Sequence, residues 1–205
     1  MAGQYLQNIS FLVVEDNLFA RDLMRDILEI VGARHITFAR NGHDAYKTFK
    51  AAPADVILLD WQMDTLDGIE FTKMVRGRQD SPNPYVPIIM MTAYSDRSHV
   101  FKARDAGVNE YLIKPFSAKA LFDRVLAVIE RPRRFVRVGK YFGPDRRRKD
   151  KTFVGMDKRG LAEKVKAPAP TAEMGQDEIN ALFNPDDVPE GAPAGAKKPE
   201  PDKKN

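Results

Sequence analysis

Three short polar clusters, each closing an apolar run, hold the residue types that metal and phosphate chemistry uses. Asp60 ends the run Val56-Ile57-Leu58-Leu59, Glu15-Asp16 follow Phe11-Leu12-Val13-Val14, and Lys114-Pro115 follows Tyr111-Leu112-Ile113. An apolar run of about four to eight residues bounded by polar ones has the pattern of a strand buried on both faces of a parallel sheet. The carboxyl ends of such strands line a common crevice, so the three clusters are expected to converge there. Carboxylates offer hard oxygen ligands to Mg2+, and a lysine beside them offers positive charge to a phosphoryl group.

Positioning these clusters requires an alternation of strands and helices, and the chain shows one. Strands are expected at Phe11 to Glu15, His35 to Ala39, Val56 to Leu59, Pro87 to Met91 and Glu110 to Ile113. Between them Leu18, Leu23, Ile27, Leu28 and Val31 form an apolar stripe at helical spacing, as do Ala45, Tyr46 and Phe49. Further helices are expected over Ile69 to Arg78, Arg97 to Ala106 and Ala118 to Glu130, with Gly32, Pro53 and Gly107 as stops. Strands alternating with helices predict an α/β fold, a doubly wound five-stranded parallel sheet.

In this order the clusters resemble the response regulator receiver family, the phosphoacceptor module of bacterial two-component signalling, over residues 8–130. The likeness extends to its single-domain chemotaxis members. The family pattern is an acidic pair after the first strand, an Asp after the third, Thr or Ser after the fourth, and an aromatic residue followed by Lys-Pro in and after the fifth. Here these are Glu15 and Asp16, Asp60, Thr92, Tyr111 and Lys114-Pro115; Met63 and Asp67-Gly68 match as well. One departure is Asp64, where the family usually has Pro.

The resemblance implies a flavodoxin-like receiver fold in which Asp60 is the phosphoacceptor. It implies Mg2+ held by Asp16, Asp60 and the Gln62 backbone carbonyl, with Glu15 acting through water. Lys114 and Thr92 would stabilise the phosphoryl oxygens, Thr92 and Tyr111 would form the switch, and the Lys114-Pro115 peptide would be cis. It further implies a histidine kinase or phosphotransfer protein as donor, and a phosphoprotein that is no enzyme beyond gaining and losing its own phosphoryl group.

Composition narrows the remainder. The 205 residues include no cysteine, which excludes disulfides, thiolate metal sites and thiol catalysis. No signal segment opens the chain and no apolar run approaches the roughly 20 residues that span a bilayer, so a cytoplasmic protein without membrane contact is expected. His35, His43 and His99 have no ligand-like spacing, and Trp61 is expected at the rim of the site.

The net charge of +4 is unevenly spread, with 15 Lys and Arg against 17 Asp and Glu up to residue 130 and 18 against 12 after it. Residues 131–151 form a basic segment with ten Lys and Arg, interleaved with Phe135, Val136, Val138, Tyr141 and Phe142. Residues 152–205, rich in Pro, Ala, Gly, Lys and Glu, are expected to be a disordered tail. A short helix over 176–183 interrupts it, with Ile179, Leu182 and Phe183 on one face and Asp177 and Glu178 near its start. A helix this short needs a partner. It resembles the receiver-binding peptide of the flagellar motor switch protein, which implies that it docks on this protein's own output surface, a neighbouring copy or another receiver; the bland alternative is that it docks on nothing.

Two functions compete. In the first, the chain is a response regulator whose output is protein binding, in chemotaxis or motility, toward a downstream protein or its own tail. In the second, the basic segment binds nucleic acid or a cyclic dinucleotide. Arg133-Arg134-Phe135-Val136-Arg137 resembles the start of the cyclic di-GMP-binding PilZ module, but the Asp-x-Ser-x-x-Gly half and the barrel strands are missing, and a solvated basic tail is the simpler expectation.

Overall fold

The computed structural model describes residues 6–146 and 172–183. Five strands, β1 (Ser10–Val14), β2 (His35–Ala39), β3 (Val56–Asp60), β4 (Ile88–Thr92) and β5 (Glu110–Ile113), form one parallel sheet in the order β2-β1-β3-β4-β5. Helices α1 (Leu18–Ile30), α2 (Gly42–Ala51), α3 (Gly68–Gly77), α4 (Arg97–Ala106) and α5 (Ala118–Glu130) connect and follow them. Asn17, Asn41, Asp67, Asp96 and Ser117 each accept a backbone N–H from the first turn of the helix they precede. These short polar side chains satisfy donors that a helix start leaves unpaired. Gly107 ends α4 in the left-handed region, at φ 99°.

Because β3 and β4 are central, they are buried along their whole length, and alternate residues feed two apolar layers. Leu12, Val14, Ile57, Leu59, Ile88, Met90 and Tyr111 face α2, α3 and α4. Phe11, Val13, Val56, Leu58, Ile89, Met91 and Leu112 face α1 and α5. Each such aliphatic side chain contributes about 1.5–3 kcal/mol by leaving water.

Helix α1 corrects the expected stripe. Met24 and Leu28 are its buried residues, whereas Leu18 and Leu23 are each 59% exposed and Phe19 86%. The helix has apolar residues on two sides, and periodicity alone does not say which side meets the sheet. Phe19, Leu23 and Ile30 are left as an outward apolar set near the start and along the outer side of the helix, while Ile27 is partly buried against the core.

The basic segment is also corrected. Residues Phe135–Val138 (β6) and Tyr141–Pro144 (β7) form an antiparallel hairpin around Gly139-Lys140, with Gly139 at φ 58°. Its rings meet Tyr85, with centroids 5.3 Å from both Phe135 and Phe142. Close approach is permitted by two glycines: a Cβ on Gly143 would lie 2.9 Å from the Gly107 Cα. Arg146 adds an ion pair to Asp105 at 2.8 Å. A hairpin that packs on α3 and α4 replaces the solvated tail expected for this stretch.

The expected terminal helix is α6 (Gln176–Phe183), and it packs against β5. Ile179 and Phe183 are fully buried and Leu182 is partly buried. The rest of the tail expected to be disordered, 152–171 and 184–205, lies outside the described residues, as do 147–151 of the basic segment.

Candidate functional site

The carboxyl ends of β1, β3 and β5 bring Glu15, Asp16, Asp60 and Lys114 together. Carboxylate oxygens of Glu15, Asp16 and Asp60 lie within 4.8 Å of one another. The Lys114 Nζ donates to Glu15 Oε2 at 2.8 Å and lies 3.1 Å from Asp60 Oδ1. The Lys114-Pro115 peptide is cis. Asp16 is exposed while Glu15 and Asp60 are buried. The cluster thus has a wet side and a dry side.

Several backbone constraints hold Asp60. Its Oδ1 accepts the Trp61 N–H at 2.9 Å, and the Trp61 carbonyl accepts the Gly68 N–H at 3.0 Å. Gly68 passes so near that a Cβ there would lie 2.5 Å from the Asp60 carbonyl oxygen. Between them the loop turns through Thr65 at φ 72°, with the Leu66 N–H donating to the Asp64 carbonyl at 3.0 Å. That is the conformation the chain takes around Asp64.

Burial, and next the charge of Glu15, push the Asp60 carboxyl up to about 6, while Lys114 opposes both. For Lys114, burial favours the neutral amine, but the Glu15 hydrogen bond and the Asp60 charge outweigh it and raise the group. Three carboxylates meet one lysine, so the cluster is short of positive charge. A divalent cation would remedy this with the hard oxygen ligands already present. The adjoining cleft, about 400 Å³, is lined by Asp16, Trp61, Gln62, Met63, Asp64, Asp67 and Tyr94.

Thr92 closes β4 and is buried, its Oγ1 accepting the Tyr94 N–H at 3.1 Å. Tyr111 is fully buried on β5 and donates its hydroxyl to the Tyr94 carbonyl at 2.8 Å. Burial raises its pKa, so the hydroxyl stays protonated as a donor.

Sequence reasoning overlooked Tyr94. Its hydroxyl accepts from Gln62 Nε2 at 2.7 Å, and its ring stacks on His99 at 4.0 Å and meets Trp61 edge-on at 5.7 Å. His99 in turn pairs with Asp96. The residue therefore touches the cleft loop, Thr92 and Tyr111 at once. Only its position two residues after Thr92 hinted at this. Ile179, Leu182 and Phe183 lie away from the carboxylates, on the β5 side of Tyr111.

A family model described as the response regulator receiver domain matches residues 11–126. Chemotaxis protein CheY-3 of Vibrio cholerae is 30% identical over 125 residues, which cover 61% of this chain and 95% of that protein. Chemotaxis protein CheY1 of Helicobacter pylori is 32% identical over 122 residues, 59% of this chain and 97% of that one. Among solved structures, the receiver domain of a Pseudomonas aeruginosa sensor histidine kinase, with magnesium coordinated in its active-site cleft, is 31% identical. It superposes with a TM-score of 0.52, covering 58% of this chain and 94% of that domain.

Proposed function

Because this chain belongs to the response regulator receiver family and is homologous to CheY chemotaxis response regulators, we propose that it accepts a phosphoryl group on Asp60 and signals by phosphorylation-dependent protein binding. The observation that carries this reading is the buried Asp60 carboxylate, 3.1 Å from the Lys114 ammonium and within reach of Glu15 and Asp16. The comparisons support the receiver reading and lend nothing to nucleic acid or cyclic dinucleotide binding.

The donor is the phosphohistidine of a histidine kinase or phosphotransfer protein. An Asp60 oxygen forms a bond to phosphorus as the nitrogen–phosphorus bond breaks, leaving an aspartyl phosphate and a free imidazole. Asp16, Asp60 and the Gln62 carbonyl would hold Mg2+, with Glu15 acting through water. The cation would offset the negative charge that gathers on the phosphoryl oxygens. Lys114 neutralises one of those oxygens and the Thr92 hydroxyl donates to another. The outward apolar set of Phe19, Leu23 and Ile30 suits a helical donor that must reach this crevice.

Thr92 and Tyr111 transmit the change. A phosphoryl oxygen that draws the Thr92 hydroxyl inward makes room for the Tyr111 ring and remodels the face made by α4, β5 and α5. The protein's own chemistry is then limited to gaining and losing this group, and its place is the cytoplasm, in chemotaxis or motility. Among the described residues no helix is long and apolar enough to cross a membrane.

Acetyl phosphate with Mg2+ tests the assignment. One acid-labile phosphoryl group per chain is expected, detected by intact mass, and none in Asp60→Asn. Equal labelling of that variant would show the acceptor to lie elsewhere.

A further inference from the structure

Helix α6 is held to β5 by a device that resembles strand pairing. Strand β5 is an edge strand, and an edge presents unpaired backbone groups. The Gln176 side-chain amide meets them in both senses: its Oε1 accepts the Ile113 N–H and its Nε2 donates to the Tyr111 carbonyl, each at 2.8 Å. Upstream, the Met174 N–H donates to the Ser95 carbonyl at 2.9 Å and the Arg97 N–H to the Ala172 carbonyl at 3.0 Å. Two anchors therefore grip β5 and the β4–α4 loop that carries Tyr94.

Beyond those anchors the apolar face of α6 covers Tyr111. Ile179 and Phe183 are buried to 0% and 1% exposure, and the Phe183 ring lies nearly parallel to the Tyr111 ring with centroids 5.9 Å apart. The Tyr111 hydroxyl is tied on its other side to the Tyr94 carbonyl. The ring thus has the Thr92–Tyr94 backbone within and Phe183 without, and it cannot swing outward while α6 is seated.

We infer that α6 is a resident ligand, in cis, of the inward-Tyr111 form of the α4–β5–α5 face, so that phosphorylation of Asp60 tightens this helix onto the face. The inference rests on the phosphoacceptor reading above. Its sign follows from linkage: a ligand compatible with one of two states shifts the pair toward that state, and the state's other ligand strengthens it in return. The covalent tether favours this occupant over an outside helix of equal intrinsic affinity. An outside partner must therefore displace α6 rather than find the face open.

Hydrogen exchange of the full-length chain, followed by mass spectrometry over residues 172–183 in Mg2+ with and without beryllofluoride, reads the coupling directly. Exchange is expected to slow by about fivefold or more with beryllofluoride. An unchanged or faster rate overturns the inference. Slowing that depends on protein concentration also overturns it, by assigning the helix to a second copy.

Reciprocity supplies a second readout. Gln176→Ala removes both bonds to β5 without emptying the core, and beryllofluoride affinity, read from Trp61 fluorescence, is expected to weaken by the factor by which exchange changes. Wild-type affinity in that variant would overturn the coupling. If acetyl phosphate fails to label Asp60, the phosphoacceptor reading falls and this inference with it. If labelling succeeds while exchange is unmoved, only the inference falls.

Discussion

At the amino ends of β4 and β5 the sheet buries a full charge and satisfies it; at the carboxyl ends it buries charge and leaves it wanting. Arg76 is 4% exposed, and it donates to the Gly107 carbonyl at 3.0 Å, the Pro84 carbonyl at 2.8 Å and Asn109 Oδ1 at 2.9 Å. Its guanidinium also lies over the Phe135 ring at 5.0 Å, so the hairpin helps to enclose it. Asp60, 8% exposed, has one backbone donor and a shared lysine, against a neighbouring carboxylate that repels it. Both groups are removed from water, and burial disfavours the charged form of each, but only the first has an acceptor for every nitrogen and no like charge beside it. A satisfied buried charge fixes a structure, whereas an unsatisfied one keeps free energy in reserve for a ligand.

The largest effect expected from this contrast is at Arg76. Arg76→Met would orphan the Gly107 and Pro84 carbonyls and unpack the hairpin. A loss of about 3 kcal/mol or more is expected in urea unfolding, with acetyl phosphate labelling of the folded fraction unchanged. Loss of labelling in the folded protein would show that the two ends of the sheet are not independent.

A smaller effect of opposite sign is expected at Asp60. Its folded-state pKa, about 6, stands above the unfolded carboxylate value, so the protonated form is favoured in the fold and ionisation costs stability. That cost is absent below about pH 4, grows between about pH 4 and 6, and is complete above. In metal-free buffer at pH 7, Asp60→Asn should therefore be more stable than wild type by about 2 kcal/mol, and the two should converge near pH 4. A difference that does not vary with pH would remove the unmet charge from the comparison. Adding Mg2+ should narrow the gap, since the cation stabilises only the carboxylate.

The smallest effect belongs to Thr92, where the site meets the output face. Thr92→Ala leaves the Tyr94 N–H without its acceptor, a loss of about 1 kcal/mol. The variant should take up the phosphoryl group yet show no beryllofluoride-dependent shift of the Tyr111 ring resonances. A normal shift would exclude the hydroxyl from the link between the two.

The parts of the site carried by strand ends were legible because a strand announces itself locally. A buried parallel strand must be apolar on both faces, so its last polar residue marks its carboxyl end, and Glu15, Asp60 and Lys114 could be placed in one crevice before any contact was known. Helices α4, α5 and α6 were legible to the residue from their amphipathic period, with Gly107 closing α4; the caps Asp96 and Ser117 became visible only in the structure. Helix α1 was harder: apolar residues on two sides offer two orientations, and only the sheet beneath decides that Met24 and Leu28 face inward. The hairpin was missed because its arginines dominate the composition, although the alternation around Gly139 was there to be seen.

By itself, then, the sequence determined the order of the five parallel strands and their helices and the chemistry at the strand ends, because backbone hydrogen bonding and burial impose periods that residue types must obey. Tertiary structure alone decided what is distant along the chain and near in space. Tyr94 joins Gln62, Thr92 and Tyr111 only because β3, β4 and β5 lie side by side, and Gln176 finds the edge of β5 across more than sixty residues because an unpaired strand edge accepts whatever donors and acceptors reach it. Such contacts leave no period in the sequence, since all but the Gln62–Tyr94 bond are made by one side chain to a backbone group that every residue possesses.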